Sequence, residues 1–351
     1  MTKPVEVSWF SALCDDDYEF LGQPEPALQS SWEHCRNIVL AAEEAGYDNI
    51  LLPNGYALGI DTAAFAAAIA AQVRRIKLLM AVRVGELWPP QLARQIATID
   101  QILGGRLSIN IISSDMPGET LDGPSRYERA TEAMQILRAL LGGDALDHRG
   151  RFWNLQLEPA RILKTAKVPL FYFGGLSEPA RECAAKGADV YLQWPDRIET
   201  VQAVIDDMNA RAAREGRTLR HGYRVHVIVR ETEAEARAAA NRLLSKLDAA
   251  TGAAIKARSL DSGSVGVNAQ VALREAAGGD GYVEDNLWTG IGRARSGCGA
   301  AIVGDPDQVL AKLRAYQAIG IEAFVLSGYP HAREADLFAR YVLPRLAHAP
   351  I

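Results

Sequence analysis

The sequence is poor in cysteine. Its four thiols, Cys14, Cys35, Cys183 and Cys298, lie far apart among 351 residues and form no CxxC pair. That spacing fits reduced thiols better than a disulfide framework or a thiolate zinc site. Long apolar runs are missing too. The most apolar window, residues 63–73, is short, alanine-rich and followed by Arg74 and Arg75, so it reads as a buried helix rather than a membrane span. The first residues, Met1-Thr2-Lys3-Pro4, carry no apolar signal-peptide core, so the expectation is a soluble, cytoplasmic protein. HExxH, GxSxG and P-loop patterns are absent. His34 and His148 have no partner at metal-ligand spacing, and no metal is expected. Nor does one sign of charge dominate. A net charge of −5 draws the chain to neither nucleic acid nor an anionic membrane, so an anionic substrate needs a local basic site.

What is present is a rhythm. With 48% hydrophobic and 23% charged residues the chain can bury a large core. Eight short apolar runs read as strands buried on both faces: residues 5–10, 49–52, 76–82, 107–112, 170–173, 189–192, 223–229 and 323–326. Helical patterns alternate with them and end at glycine: 32–45 at Gly46, 91–103 at Gly104, 126–141 at Gly142, 178–186 at Gly187 and 306–319 at Gly320. Strand–helix–Gly units imply parallel strands with crossover helices, and eight of them predict an α/β fold, a (β/α)8 TIM barrel. A doubly wound open sheet is the alternative. Residues 1–351 read as one domain with two insertions. One is a short hairpin at 148–155. The other, 250–290, is rich in Gly, Ser and Ala, shows no clear strand, and reads as a mobile lid before the eighth strand.

In such a barrel the working residues cluster at the C-terminal strand ends. There the sequence offers Asn110, Ser113, Ser114, Gly174-Gly175-Leu176-Ser177, Trp194 and Ser327-Gly328-Tyr329-Pro330-His331. On the seventh strand Arg224 and His226 share a face by period two. A buried guanidinium needs an anion or several acceptors, so this pair is either a structural ion pair or a cationic floor for an anionic ligand. The Gly174–Ser177 turn opens a helix and suits a phosphate or an ordinary Ser cap. Gly290-Ile291-Gly292-Arg293-Ala294-Arg295 imitates a dinucleotide fingerprint but has no strand before it.

These residues also carry a family likeness. Tyr223-Arg224-Val225-His226-Val227-Ile228-Val229-Arg230-Glu231-Thr232 and Phe324-Val325-Leu326-Ser327-Gly328-Tyr329-Pro330-His331 resemble segments of alkanesulfonate monooxygenases, in the bacterial luciferase-like superfamily. So do Asp285-Asn286-Leu287-Trp288, Ile302-Val303-Gly304-Asp305, Leu170-Phe171-Tyr172-Phe173-Gly174-Gly175 and Ala97-Thr98-Ile99-Asp100, in order along nearly the whole chain. The resemblance implies a barrel that takes reduced FMN (FMNH2) from a separate NAD(P)H-dependent flavin reductase. Oxygen then adds to the flavin, and the peroxyflavin cleaves an organosulfonate to an aldehyde and sulfite. It also implies a homodimer or homotetramer. Carried over, it assigns Arg224, His226, the lid residue Arg295, Tyr329 and Trp194 to catalysis. Asn110, Tyr127, Gly175, Leu176 and Ser177 fall to the flavin. Two Arg forks would grip the sulfonate, Tyr329 would donate a hydrogen bond, and His226 would act as acid or base, since imidazole titrates near working pH.

The likeness breaks at three loops. Where the sulfonate enzymes show Pro-Thr-Gly-Arg-Ser-Cys, this chain has Pro53-Asn54-Gly55-Tyr56-Ala57-Leu58. A Gly- and His-containing loop is replaced by Ala12-Leu13-Cys14-Asp15-Asp16-Asp17-Tyr18, and a Thr-Gly pair by Ser113-Ser114-Asp115-Met116. All three border the expected pocket and open it to a bulkier or more hydroxylated sulfonate, a sulfone or a sulfinate. The competing readings are a flavin or deazaflavin oxidoreductase acting on another small molecule and a flavin-binding protein without turnover. An aldolase lacks a candidate Schiff-base Lys at a strand end.

Overall fold

The alternation of apolar run and Gly-terminated helix resolves, in the computed structural model, into a closed barrel. The structure describes residues 3–55, 59–116, 118–163, 167–257, 264–295 and 297–351, without the side chains of 256 and 257. The barrel strands are β1 (Glu6–Phe10), β2 (Asn49–Leu52), β3 (Lys77–Arg83), β4 (Leu107–Ile112), β5 (Leu170–Phe173), β6 (Val190–Gln193), β7 (Arg220–Val229) and β8 (Ile321–Ser327). Each pairs in parallel with the next, and β8 closes on β1, so the eight runs read from the sequence are the eight staves and the open sheet is excluded.

Crossover helices pack outside: α1 (Trp32–Glu44), α2 (Thr62–Ala70), α3 (Pro89–Leu103), α4 (Gly123–Gly142), α5 (Glu178–Gly187), α6 (Ile198–Arg214) and α7 (Glu233–Leu244). After them come α8 (Ala249–Ala257), α9 (Val265–Glu275), α10 (Pro306–Ala318) and α11 (His331–Tyr341). Helices α3 and α4 start earlier than the periodicity predicts because each has a proline in its first turn, where the missing N–H costs nothing. The hairpin is Leu146–Arg149 against Asn154–Leu157.

Register sets which residues face the barrel axis. Phe10 pairs with Leu51, Leu51 with Leu79, Val325 with Arg224 and Ser327 with His226, so these share the inner face. At the N-terminal end, fully buried Glu6 accepts from Tyr172 Oη at 2.7 Å, Asn49 Nδ2 at 3.0 Å and Lys77 Nζ at 3.4 Å, which closes the floor with a satisfied ion pair. Above it Phe10, Leu51, Leu79, Val190 and Val325 form an apolar plug. Arg224 and His226 lie beyond the plug, at the C-terminal end.

Strand β7 is longer than its neighbours. Its first half bridges β6 and β8, and from His226 onward it pairs with a strand at Ala301–Gly304 that lies outside the ring. The segment expected to hold no strand is corrected here. Residues 250–290 contain most of α8, all of α9, and strands Tyr282–Glu284 and Leu287–Trp288, which run antiparallel and join Ala301–Gly304. These strands are only three and two residues long, too short for alternation to register. The predicted lid also includes residues 258–263, and the strand-two loop includes 56–58; both lie outside the described residues. No helix among the described residues is long and apolar enough to cross a membrane.

Candidate active site

All five residues expected at the flavin line one cavity of about 300 Å³: Asn110, Tyr127, Gly175, Leu176 and Ser177. The turn after β5 is shaped by close approach. A Cβ on Gly174 would fall 2.3 Å from the Leu192 carbonyl oxygen, and one on Gly175 would fall 2.6 Å from Ala180 Cβ. Only glycine fits at either position. Tyr191 Oη donates to the Gly175 carbonyl at 2.6 Å and fixes the turn. Ser177 caps α5 by accepting from Ala180 N at 3.4 Å, which leaves its O–H free to donate outward. Arg126 comes from α4, paired with Asp115 and donating to the Ser113 carbonyl at 3.4 Å. A helix start, two glycines, a hydroxyl, a phenol, a guanidinium and the Asn110 amide around one cavity fit a phosphate-bearing planar cofactor such as FMN.

Trp194, grouped at first with the catalytic residues, lines this same cavity. Its ring lies under the start of α9 and beside Gly297, where an added Cβ would stand 3.0 Å and 3.4 Å away. Residue 298 continues to the second half of the site, where Cys298 Sγ donates to the Arg224 carbonyl at 3.4 Å.

That second half gathers Arg224, His226, Arg295 and Tyr329. Arg224 is 4% exposed. Its guanidinium lies 4.3 Å over the Phe10 ring, and Nη1 donates to the carbonyls of Val225 and Val325 at 3.1 and 3.4 Å. Nη2 has no partner among the described residues, and no carboxylate pairs with the group. The structural ion pair considered from the sequence is therefore not what the strand builds. Burial lowers the pKa of Arg224, as an uncompensated buried cation requires.

His226 is 1% exposed, with Nδ1 2.7 Å from Ser327 Oγ and Nε2 without a hydrogen-bond partner among the described residues. Burial first, then the Arg224 and Arg295 charges and His331, push its pKa well below 6.5. The nearby Cys298 carbonyl opposes this but is not placed to bond Nε2. This corrects the expectation that the imidazole titrates near working pH: it is neutral there.

Arg295 Nη1 donates to Tyr329 Oη at 2.5 Å and to Asp16 Oδ2 at 3.0 Å. Tyr329 is buried, and burial raises its phenol well above the usual range, so it is a neutral O–H donor. Its ring lies 5.2 Å from that of His226.

Sequence reasoning assigned no role to several residues that complete the cluster. Asp16 pairs with Arg295, Ser327 orients His226, and fully buried His331 stacks 5.8 Å from Phe10 with both ring nitrogens unpaired among the described residues. Buried Arg83 donates to Ser114 Oγ at 2.7 Å and the Asp115 carbonyl at 2.8 Å, tying β3 to the wall of the cavity. Their common signal is position, since all stand at or just after C-terminal strand ends. Among the described residues no cluster could hold a metal ion.

A profile of the luciferase-like monooxygenases matches residues 19–323. The chain is 69% identical over 354 residues to a sulfoquinovose monooxygenase of Novosphingobium aromaticivorans, covering 99% of this chain and 98% of that one. A sulfoquinovose monooxygenase of Agrobacterium fabrum is 53% identical over 347 residues, covering 97% and 89%. Among solved structures, EDTA monooxygenase from Chelativorans sp. BNC1 superposes with a TM-score of 0.78 at 18% identity, covering 98% of this chain and 93% of the other. The barrel, the cavity and the near full-length match agree, and the chain belongs to the luciferase-like monooxygenase family.

Proposed function

We propose that this protein is the oxygenase of a two-component system. It takes reduced FMN from a separate NAD(P)H-dependent flavin reductase and oxygenates a sugar sulfonate, sulfoquinovose. The carbon–sulfur bond breaks to give an aldehyde and sulfite, with the second oxygen atom leaving as water. The observation that carries the reading is the pair of buried, unpartnered groups Arg224 Nη2 and His226 Nε2 beside Arg295. A sulfonate bears only hydrogen-bond acceptors and a negative charge, and it would satisfy both groups while neutralising the buried cation. Its two sulfoquinovose monooxygenase relatives support the choice of a sugar sulfonate.

Reduced FMN, when bound, supplies the two electrons that activate dioxygen. Gly175, Leu176, Ser177, Tyr127 and Arg126 would hold its phosphate end, with Asn110 and Trp194 against the ring system. The remaining roles belong to the chain. Arg224 anchors the sulfonate from the barrel axis. A sulfonate oxygen at His226 selects the tautomer with the proton on Nε2, and the Ser327 hydroxyl then donates to Nδ1. Arg295 adds the second guanidinium. Tyr329, whose oxygen accepts from Arg295, points its proton at developing negative charge. The segment around α9 and Gly297 covers the cavity and limits water.

The test is sulfite release from sulfoquinovose under a steady supply of reduced FMN and oxygen. Sulfite in step with substrate consumption is the expected result. Peroxide production without sulfite would overturn the assignment.

A further inference from the structure

Three successive acids follow β1, and the structure separates their roles. Asp15 accepts from the Ser30 main-chain N–H at 2.7 Å. Asp17 accepts from the main-chain N–H groups of Tyr18 and His331, each at 2.9 Å, and pairs with His34 at 2.9 Å. Both are committed to holding the loop. Asp16 is different. Its Oδ2 takes Arg295 at 3.0 Å, while Oδ1 is buried and has no hydrogen-bond partner among the described residues. A desolvated carboxylate oxygen left without a donor is costly, and in a site it marks where a ligand's donor goes.

The unpartnered groups here differ in chemistry. Arg224 Nη2 is a donor, and His226 Nε2 donates in the tautomer a sulfonate selects. Asp16 Oδ1 only accepts. A sulfonate group brings acceptors alone, so it can meet Arg224 and His226 but not Asp16, which its charge would repel. A plain alkyl chain meets none of them. Only a ligand that carries O–H groups as well as the sulfonate satisfies both kinds.

We propose that Asp16 selects polyhydroxylated sulfonates over plain alkanesulfonates, accepting a substrate hydroxyl at Oδ1 while Oδ2 stays on Arg295. The inference rests on the sulfonate reading of the site. Arg295 then joins the two poles, gripping the sulfonate with its free N–H groups and holding the hydroxyl acceptor through Nη1. Asp16 is electrically part of the same pocket, since its charge is felt at Arg224, Arg295 and Tyr329. The loop that carries it is one of those where the chain departs from the alkanesulfonate enzymes, as a change of substrate would require.

The experiment compares wild type with D16N and D16S, using sulfoquinovose as substrate and hexane-1-sulfonate as competitive inhibitor of sulfite release. Quenching of tryptophan fluorescence by FMN reports that each variant is folded. The expected result is a loss in kcat/KM for sulfoquinovose of about 10-fold to 100-fold, the size of a hydrogen bond to a charged group, carried mainly by KM. Hexane-1-sulfonate should bind the variants as tightly as wild type or more so, because Arg295 is released from a competing carboxylate. Inhibition seen only in the variants supports the proposal equally. Loss of both ligands by the same factor would show that Asp16 only braces Arg295, and would overturn it. So would an unchanged KM for sulfoquinovose, or an alkanesulfonate that binds none of the three proteins. Wild type that releases no sulfite from sulfoquinovose overturns the substrate reading and this inference together, and that failure is visible without any variant.

Discussion

Ser327 Oγ lies 2.7 Å from His226 Nδ1, and the two residues face each other in register across β7 and β8. The hydroxyl can donate to Nδ1 or accept from it, so it holds the orientation of a ring too buried to charge and leaves the tautomer to the ligand at Nε2. Replacing Ser327 with alanine should cost about 1–2 kcal/mol of stability from the orphaned Nδ1. Sulfite release should fall about 10-fold to 100-fold because the ring is no longer held. Thr at this position should restore most of the rate. The ring 15N shift of His226 Nδ1 would show the loss of its hydrogen bond in S327A. Identical shifts in both proteins would remove Ser327 from this role.

Because the His226 pKa is held well below 6.5, the pH profile of kcat/KM should show no ionisation near 6.5 that disappears in His226→Gln. A limb at pH 6–7 present in wild type and absent in the variant would mean that substrate or flavin recharges the imidazole.

Arg224 should show opposite effects on stability and activity. Among the described residues its buried guanidinium has no carboxylate partner, and Nη2 is unpaired. Arg224→Met keeps much of the volume and removes the charge, so thermal stability should stay level or rise. Sulfite release should fall at least about 100-fold as the sulfonate loses its buried anchor. Calorimetry and the sulfite assay on one preparation separate the two. A large drop in Tm would show instead that the arginine braces the barrel through the carbonyls of Val225 and Val325.

The barrel was legible in the sequence because strands buried on both faces are plain apolar runs, and several of the helices between them stop at or beside a glycine. The inward pair on β7 was legible for a similar reason, since period two puts Arg224 and His226 on one face. What escaped was everything set by long-range pairing. Asp16 and Arg295 are 279 residues apart, and nothing local in either segment announces the other. Trp194 was assigned to catalysis by resemblance, and only the fold brings Gly266 and Gly297 against its ring where it lines the cavity with Asn110 and Ser177. The strand at Ala301–Gly304 is not among the eight runs read from the sequence, yet it takes over from β6 as the partner of β7 from His226 onward.

The turn after β5 that lines the cavity depends on having no side chain at Gly175, where a Cβ would meet Ala180 Cβ at 2.6 Å. Gly175→Ala should push the turn off α5 and weaken FMN binding about 10-fold or more, with little change in the affinity for a sulfonate inhibitor. Ser177→Ala should cost about 1 kcal/mol of stability through the lost cap and weaken FMN binding as well. Fluorescence quenching by FMN checks both. Undiminished FMN binding in both variants would move the phosphate away from this turn.

Far from the site, His221 gives a pH dependence of stability whose sign can be worked out. Burial lowers its pKa to about 4, against the weaker pull of Glu322 and Asp206, while Nε2 stays 2.9 Å from Asn209 Oδ1. In the unfolded chain the same ring titrates near 6.5. Between these values the unfolded state holds the extra proton, so acid favours unfolding. The contribution is fully present above about pH 6.5, shrinks as pH falls, and amounts to on the order of 3 kcal/mol lost by pH 4. Buried Glu334, whose pKa burial raises, works in the opposite direction, so only a comparison of variants isolates the histidine. Gln at position 221 keeps an N–H for Asn209 and has no proton to gain. Its unfolding free energy in urea should fall less than that of wild type between pH 7 and pH 4.5, with the two curves converging as pH drops. Parallel curves across that range would mean that His221 is protonated in the fold as readily as in the unfolded chain.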